Sequence, residues 1–402
     1  MTFPLLPDYQ LFLLPARTAE EAAAWGAAAL AYAAFFPDIH FARDPRRVDW
    51  RGYSHVTIVN PGFWPEDLLP LIKQANPRIG LDLIPVTAPE ILQTLLNTRI
   101  YAGLRYGPQR DVDWLTLWPA GRCLIGLHGR SDGELQPADL AVMAAARLEA
   151  VKLTSYATAE SVRGLRALNP EMFILVRAFL PFGEGRTVTP AQFFEFTAAD
   201  VARLYDADPA VRYIEIHNEP NLRLEGWGGS WRDGREFADW FLAVRELYQA
   251  RFPDAKLGFP GLSPGPALEA GGRADSEQFL GEASAAASAA DWIGVHAYWV
   301  NEREITDDRD GFGFTRYRQR FPEALLFITE FGNPQQPKPM VAQQYARYYG
   351  ALRRYPGLGA AFAYVVSTSN AEESPRWAWR DEAGQDSGLA AVVGRREFVD
   401  QP

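Results

Sequence analysis

From about residue 122 onward, short apolar or β-branched runs alternate with longer stretches whose apolar positions recur at helical spacing. This alternation is the pattern of repeated β-α units around a parallel sheet. It predicts strands over 123–128, 150–154, 172–179, 211–217, 256–259, 292–298, 325–329 and 359–366, and helices over 137–148, 157–168, 190–205, 234–251, 276–289, 314–321 and 341–355. Eight such units match the usual size of a (β/α)8 barrel, about 250 residues. An open doubly wound sheet gives a similar alternation, so the count alone leaves both folds standing.

The first 120 or so residues stand outside that repeat. Strands are predicted at 10–14, 56–59 and 79–84, and helices at 20–34, 65–74 and 89–96. The predicted fold class is therefore α/β: a small α/β N-terminal domain, 1–118, followed by a (β/α)8 TIM barrel, 119–402. The stretch 106–119, with Gly107-Pro108 and scattered charges, is the expected linker. No Gly-rich phosphate loop marks the N-terminal region as a nucleotide site.

Composition narrows the function classes. A net charge of -10 without Lys/Arg clusters disfavours a nucleic-acid partner, which is held by concentrated positive charge. A neutral carbohydrate substrate suits this balance, and the 12 Trp, 16 Tyr and 24 Phe offer flat faces for sugar rings, although most aromatics serve core packing. The single cysteine, Cys123, sits in an apolar run, allows no internal disulfide and is expected to be buried. Only five His occur, none at zinc-type spacing, so neither a metal nor another cofactor is expected. No run reaches the ~20 apolar residues of a membrane helix, and residues 1–8 lack the features of a secretory signal. Cytoplasmic residence is the default expectation, and secretion the alternative if a leader has been trimmed.

Two strings carry the chemistry. The fourth predicted strand ends in Asn218-Glu219-Pro220, and the seventh in Thr329-Glu330-Phe331-Gly332. In a barrel, groups at the C-terminal strand ends face the cleft above a packed interior. Glycoside hydrolysis through a covalent intermediate needs two carboxyl groups about 5–5.5 Å apart, one to protonate the leaving oxygen and one to attack the anomeric carbon. A lone Asn-Glu-Pro is weak evidence, since a strand-terminal Glu before Pro also opens a turn. The pair, with His296-Ala297-Tyr298 on the sixth strand between them, is far more specific.

Over roughly residues 122–395, this combination resembles clan A retaining glycoside hydrolases, the 4/7 superfamily, which includes cellulase and β-xylosidase/iduronidase-like families. The resemblance implies that Glu219 is the acid/base and Glu330 the nucleophile. It also implies that Asn218 bonds a sugar 2-hydroxyl, that Tyr298 donates to the nucleophile and that His296 lines the cleft. Strand alternation predicts that His217 and Glu215 point inward with Glu219, and His296 with Tyr298. A buried Glu215 then requires a basic or hydrogen-bonding partner, Arg177 or Lys152.

Two positions depart from the clan pattern: Lys152 stands on the second strand, where an Arg is usual, and the eighth strand lacks its usual Trp. Trp377 or Trp379 from the following loop is the expected substitute as sugar platform, and Arg177, near the end of the third strand, and His128, closing the first, are candidate cleft residues, Arg177 with a structural ion pair as its alternative. Trp227 and Trp231 either stack on a sugar or anchor their loop. The expected activity is hydrolysis of an O-glycosidic bond, β-linked, by double displacement. A barrel that binds carbohydrate without turnover and a transglycosylase using the same pair are the alternatives.

Overall fold

A computed structural model describes residues 9–65, 67–76, 79–84, 86–106, 117–268, 271–353, 355 and 357–396. Residues 1–8 and most of the expected linker lie outside the described residues. The chain divides into two compact units, residues 1–113 with 318–323 and residues 114–317 with 324–402.

The first unit is built on a parallel sheet of β1 (Gln10–Leu13), β2 (Ile39–Ala42), β3 (His55–Val59) and β4 (Gly80–Ile84), ordered β2-β1-β3-β4. A parallel sheet is covered on both faces. On one face, Phe12, Val59 and Ile84 pack with Trp25 and Tyr32 of helix Ala19–Phe35 and Leu92 and Leu96 of helix Pro89–Ala102. On the other, Leu11, Val56 and Ile58 pack with Leu68 and Ile72 of helix Leu68–Ala75. Inside the unit, Arg99 grips Asp82 with two bonds of 2.6 and 2.9 Å, and Asp82 also accepts from Thr57 at 2.9 Å, so these buried polar groups satisfy one another. Strand β2 was not anticipated, because Ile39-His-Phe-Ala42 is short, lies at the sheet edge and shows no burial alternation.

The second unit contains a closed barrel of eight parallel strands: β5 (Leu124–His128), β6 (Ala150–Thr154), β7 (Phe173–Ala178), β8 (Tyr213–Ile216), β9 (Lys256–Phe259), β10 (Trp292–Tyr298), β11 (Leu326–Gly332) and β12 (Leu358–Ala363). Closure settles the choice between barrel and open sheet. The predicted helix over 276–289 is broken into Ser276–Glu282 and Ser284–Ala289. Among the described residues, no helix is long and apolar enough to cross a membrane.

The N-terminal end of the barrel is plugged by apolar side chains: Trp118 packs edge-on against Phe173 at 4.9 Å and Phe327 at 5.2 Å, with Leu124, Leu175, Trp292 and Phe362 in the same cluster. Above this plug the interior becomes polar. On β6 to β8, Lys152, Arg177 and Glu215 stand two residues beyond Ala150, Leu175 and Tyr213, as the two-residue period of a strand requires.

Strand β11 breaks that period. Val295 pairs with Ile328 but His296 pairs with Glu330, so β11 carries one extra residue at this point. Phe327 faces the plug, and strict alternation would turn Thr329 inward and Glu330 outward. The bulge reverses this and aims Glu330 into the interior.

Candidate active site

Glu330 is 5% exposed and bonded on both oxygens. Its Oε1 accepts from Arg177 and lies 3.6 Å from the Lys152 ammonium; its Oε2 accepts from the Tyr298 hydroxyl at 2.6 Å. Burial alone would raise its pKa, but Arg177, His296 and Lys152 outweigh it and hold the carboxyl well below the usual carboxylate range. The Tyr298 hydroxyl is driven the opposite way by burial and by the Glu330 charge, and remains a protonated donor.

Behind Glu330 lies a second buried acid. Glu215 is fully buried and accepts from Lys152 at 2.7 Å and from Arg177 Nε at 2.9 Å. Despite burial, those cations bring its pKa down to about 2. Both expected partners are therefore engaged. Two carboxylates face two cations, and Arg177 joins the acids through separate nitrogens. Lys152 has its pKa lowered to about 8, by burial first and Arg177 second, and remains a cation at neutral pH. Gly294 makes room for this packing: a Cβ there would stand 3.0 Å from Glu215 Oε1 and 2.7 Å from the Gly261 nitrogen.

Glu219 enters from the loop after β8. Its backbone N–H donates to the Gly261 carbonyl at 3.1 Å, and Trp231, 1% exposed, donates from Nε1 to the Pro220 carbonyl at 2.7 Å, so Trp231 anchors this loop. The only ion-pair partner of Glu219 among the described residues is His296, whose Nδ1 lies 2.8 Å from Oε1. The same Nδ1 is 3.8 Å from Oε2 of Glu330. A carboxylate oxygen from each acid and a His296 ring nitrogen all fall within 4.8 Å of one another.

The expected inward orientation of His217 is not observed. Strand β8 ends at Ile216, and His217 and Glu219 both have positive φ, 73° and 36°, which interrupts the alternation. His217 instead stacks on Phe182 at 4.5 Å among Phe193, Trp231 and Trp240, and bonds through Nε2 to the Glu225 carbonyl at 2.7 Å. Burial lowers its pKa to about 4, so it is neutral and donates that bond.

Asn218 donates from Nδ2 to Glu225 Oε1 at 3.2 Å, and its side-chain carbonyl is buried without a partner. His128 is buried at the end of β5; burial, then Lys152 and Arg177, lower its pKa to about 3. It is a neutral ring, T-shaped against Tyr364 at 5.3 Å. Trp379 must be corrected: it is 0% exposed and has no face for a sugar, because the chain after β12 folds it inward against Tyr345. Trp377 is half-buried, and its ring packs against Tyr298 at 5.2 Å and Tyr364 at 5.8 Å, beside the site. Trp227 is half-buried and donates to the Arg232 carbonyl at 2.9 Å.

Sequence reading missed Glu225 as a site residue. It closes a 3-10 turn (Arg223–Glu225) in a loop with no recognisable motif, and burial followed by the nearby Glu219 and Glu330 charges pushes its pKa up to about 8. Its only sequence signal is the following Gly226, at φ 112°, where a Cβ would strike Phe182 and Trp231.

Glu219, His296 and Glu330 are also a ligand set of the type that holds a divalent cation. Arg177 and Lys152 already neutralise Glu330 from behind, and a cation placed there would meet both fixed charges. The arrangement suits proton transfer and nucleophilic attack better. A cavity of about 420 Å³ reaches His296 between the loops after β9 and β10, with Pro264, Asp275, Asp308 and Asp310 in its walls. That volume suits a small ligand such as one or two sugar units.

No protein-family model matches the sequence, and comparison with curated proteins finds no match. Solved structures do match, and those compared are glycosidases. The chain is similar to a GH5_18 protein from Streptomyces cattleya, solved in complex with GlcNAc, at 13% identity and TM-score 0.50, over 70% of this chain and 81% of that one. It is similar to a GH128 (subgroup II) endo-β-1,3-glucanase from Sorangium cellulosum at 18% identity and TM-score 0.49, over 70% and 99%. For a β-glucuronidase from Faecalibacterium prausnitzii the values are 14% and 0.49, over 70% of this chain and 49% of that one. At 13% identity the likeness to the GH5_18 protein shows a shared fold and nothing further.

Proposed function

We propose that this chain is a retaining glycoside hydrolase acting on a β-linked carbohydrate, with Glu330 as nucleophile and Glu219 as acid/base. The observation that carries the reading is the convergence of two strand-end carboxylates to within 4.8 Å, joined by one imidazole. An inverting enzyme keeps its carboxyl groups about 6.5–9.5 Å apart to admit a water, whereas a retaining one holds them at about 5–5.5 Å. The surroundings of the two acids also differ in the required sense. Glu330 is held ionised by Arg177 and Lys152, which suits a nucleophile; Glu219 has no Lys or Arg partner among the described residues.

In the first displacement a Glu330 oxygen bonds to the anomeric carbon as the glycosidic C–O bond breaks, and the Glu219 proton passes to the leaving oxygen. In the second, Glu219 takes a proton from water, whose oxygen displaces Glu330 and releases the sugar with its original configuration. Tyr298 and Arg177 fix the attacking carboxylate, and His296 fixes Glu219 relative to it. No step requires a cofactor. The glycosidase neighbours support the reaction class by analogy of fold. The test is the anomer first released from a β-aryl glycoside, followed by proton NMR: β-product supports the reading, and α-product contradicts it.

A further inference from the structure

Glu225 stands apart from the roles assigned so far, and its surroundings fix it in an unusual state. The backbone on either side is clamped: the Glu225 N–H donates to the Leu222 carbonyl at 3.1 Å, His217 bonds the Glu225 carbonyl at 2.7 Å, and Gly226 is wedged against Phe182 and Trp231. One carboxyl oxygen, Oε1, accepts from Asn218 at 3.2 Å. The other, Oε2, is buried and has no partner, 3.9 Å from the His217 ring nitrogen that is already committed to the Glu225 carbonyl. The carbonyl oxygen of Asn218, the residue whose amide nitrogen bonds Oε1, is equally buried and unpartnered. Burying polar atoms without partners costs free energy, so a hydrogen-bonding group brought to these two side chains would be stabilised there.

Resting on the reading of Glu219 and Glu330 above, we propose that Glu225, as a neutral carboxylic acid, donates its Oε2–H to an uncharged hydroxyl of the sugar bound at the Glu219/Glu330 pair. That hydroxyl completes the arrangement by donating its own proton to the Asn218 carbonyl. A hydroxyl is both donor and acceptor and satisfies both orphaned atoms at once, which neither an ether oxygen nor a carboxylate does. Glu225 also orients Asn218, since tying up the amide nitrogen leaves the carbonyl as the free end. The nearby Glu219 and Glu330 charges keep the proton on Glu225, its pKa being pushed up to about 8 by burial first and by those charges as well. Glu225 is thus a specificity-determining residue for the glycone, and it makes binding sensitive to mildly alkaline pH.

The test uses a 2,4-dinitrophenyl glycoside, whose leaving group departs without a proton, so that deprotonation of the acid/base leaves no alkaline limb in kcat/KM. The wild-type enzyme is expected to lose kcat/KM about tenfold per pH unit above pH 8, mainly through KM. E225Q, whose amide remains a donor at every pH, is expected to stay within about threefold of wild type at pH 6.5. It is expected to lose the part of the limb that belongs to Glu225 and to keep only a shallower one, because Lys152 beside Glu330 also loses its charge above about pH 8. E225A is expected to lose about 10- to 100-fold already at pH 6.5, the effect of leaving buried polar groups unpaired. If E225A fails to fold, E225Q alone decides. A limb that persists unchanged in E225Q, or a wild-type profile flat to pH 9.5, overturns the role of Glu225. Either result leaves Glu330 untouched, because loss of turnover in a Glu330 variant is an independent readout.

Discussion

The Nδ1 atom of His296 lies 2.8 Å from Oε1 of Glu219, closer than to any oxygen of Glu330. The imidazole is therefore a spacer that fixes one acid at a set distance from the other, and its own position is fixed by Gly261, where a Cβ would fall 2.2 Å from the ring. His296→Ala is expected to lower kcat/KM by about 10²-fold on a substrate with a poor leaving group, since small displacements of a catalytic group are costly. Gly261→Ala should reproduce much of that loss by displacing the ring. Steady-state kinetics with circular dichroism as a folding control checks both, and near-wild-type turnover in both variants would rule out the spacer role.

The paired Glu215 ties stability to acid pH. Its folded pKa, about 2, lies below the ordinary value of 4.5, so its contribution is complete above about pH 4.5 and is lost as pH falls toward 2. A shift of that size corresponds to about 3 kcal/mol. Glu215→Gln leaves Lys152 and Arg177 with one anion fewer and is expected to destabilise the protein by about 3 kcal/mol at pH 7. The difference between wild type and variant should shrink between pH 4.5 and 2. Urea unfolding at a series of pH values measures it, and a difference independent of pH would contradict the pairing.

Trp377 and Trp379 should separate cleanly. Trp379→Ala removes a fully buried ring and is expected to cost about 3–5 kcal/mol of stability. Trp377→Ala removes a half-buried ring beside Tyr298 and is expected to raise KM by about tenfold with a much smaller change in Tm. Thermal unfolding and KM determined on both variants decide, and the reverse pattern would restore Trp379 as the platform.

The barrel was legible in the chain because each strand is an apolar run of strand length followed by a helical period, and all eight runs are strands of the closed barrel. The candidate pair was legible only through its motifs. Periodicity alone misdirects at both acids: positive φ at His217 and Glu219 ends the alternation on β8, and the extra residue on β11 reverses the face of Glu330. Glu225 was illegible for another reason. Its state arises from burial and from charges that include Glu330 on another strand, and no local pattern encodes that convergence. Trp379 was illegible for the same reason, since nothing local distinguishes a fully buried Trp from a half-buried one two residues away.

The central claim is that Glu330 attacks the anomeric carbon. The direct measurement is turnover of a β-2,4-dinitrophenyl glycoside by Glu330→Ala, without and with sodium azide, with NMR assignment of the product. The account predicts a loss on the order of 10⁵-fold in kcat, partly restored by azide with formation of an α-glycosyl azide. Wild-type turnover in the variant, or an azide product of β configuration, would contradict it.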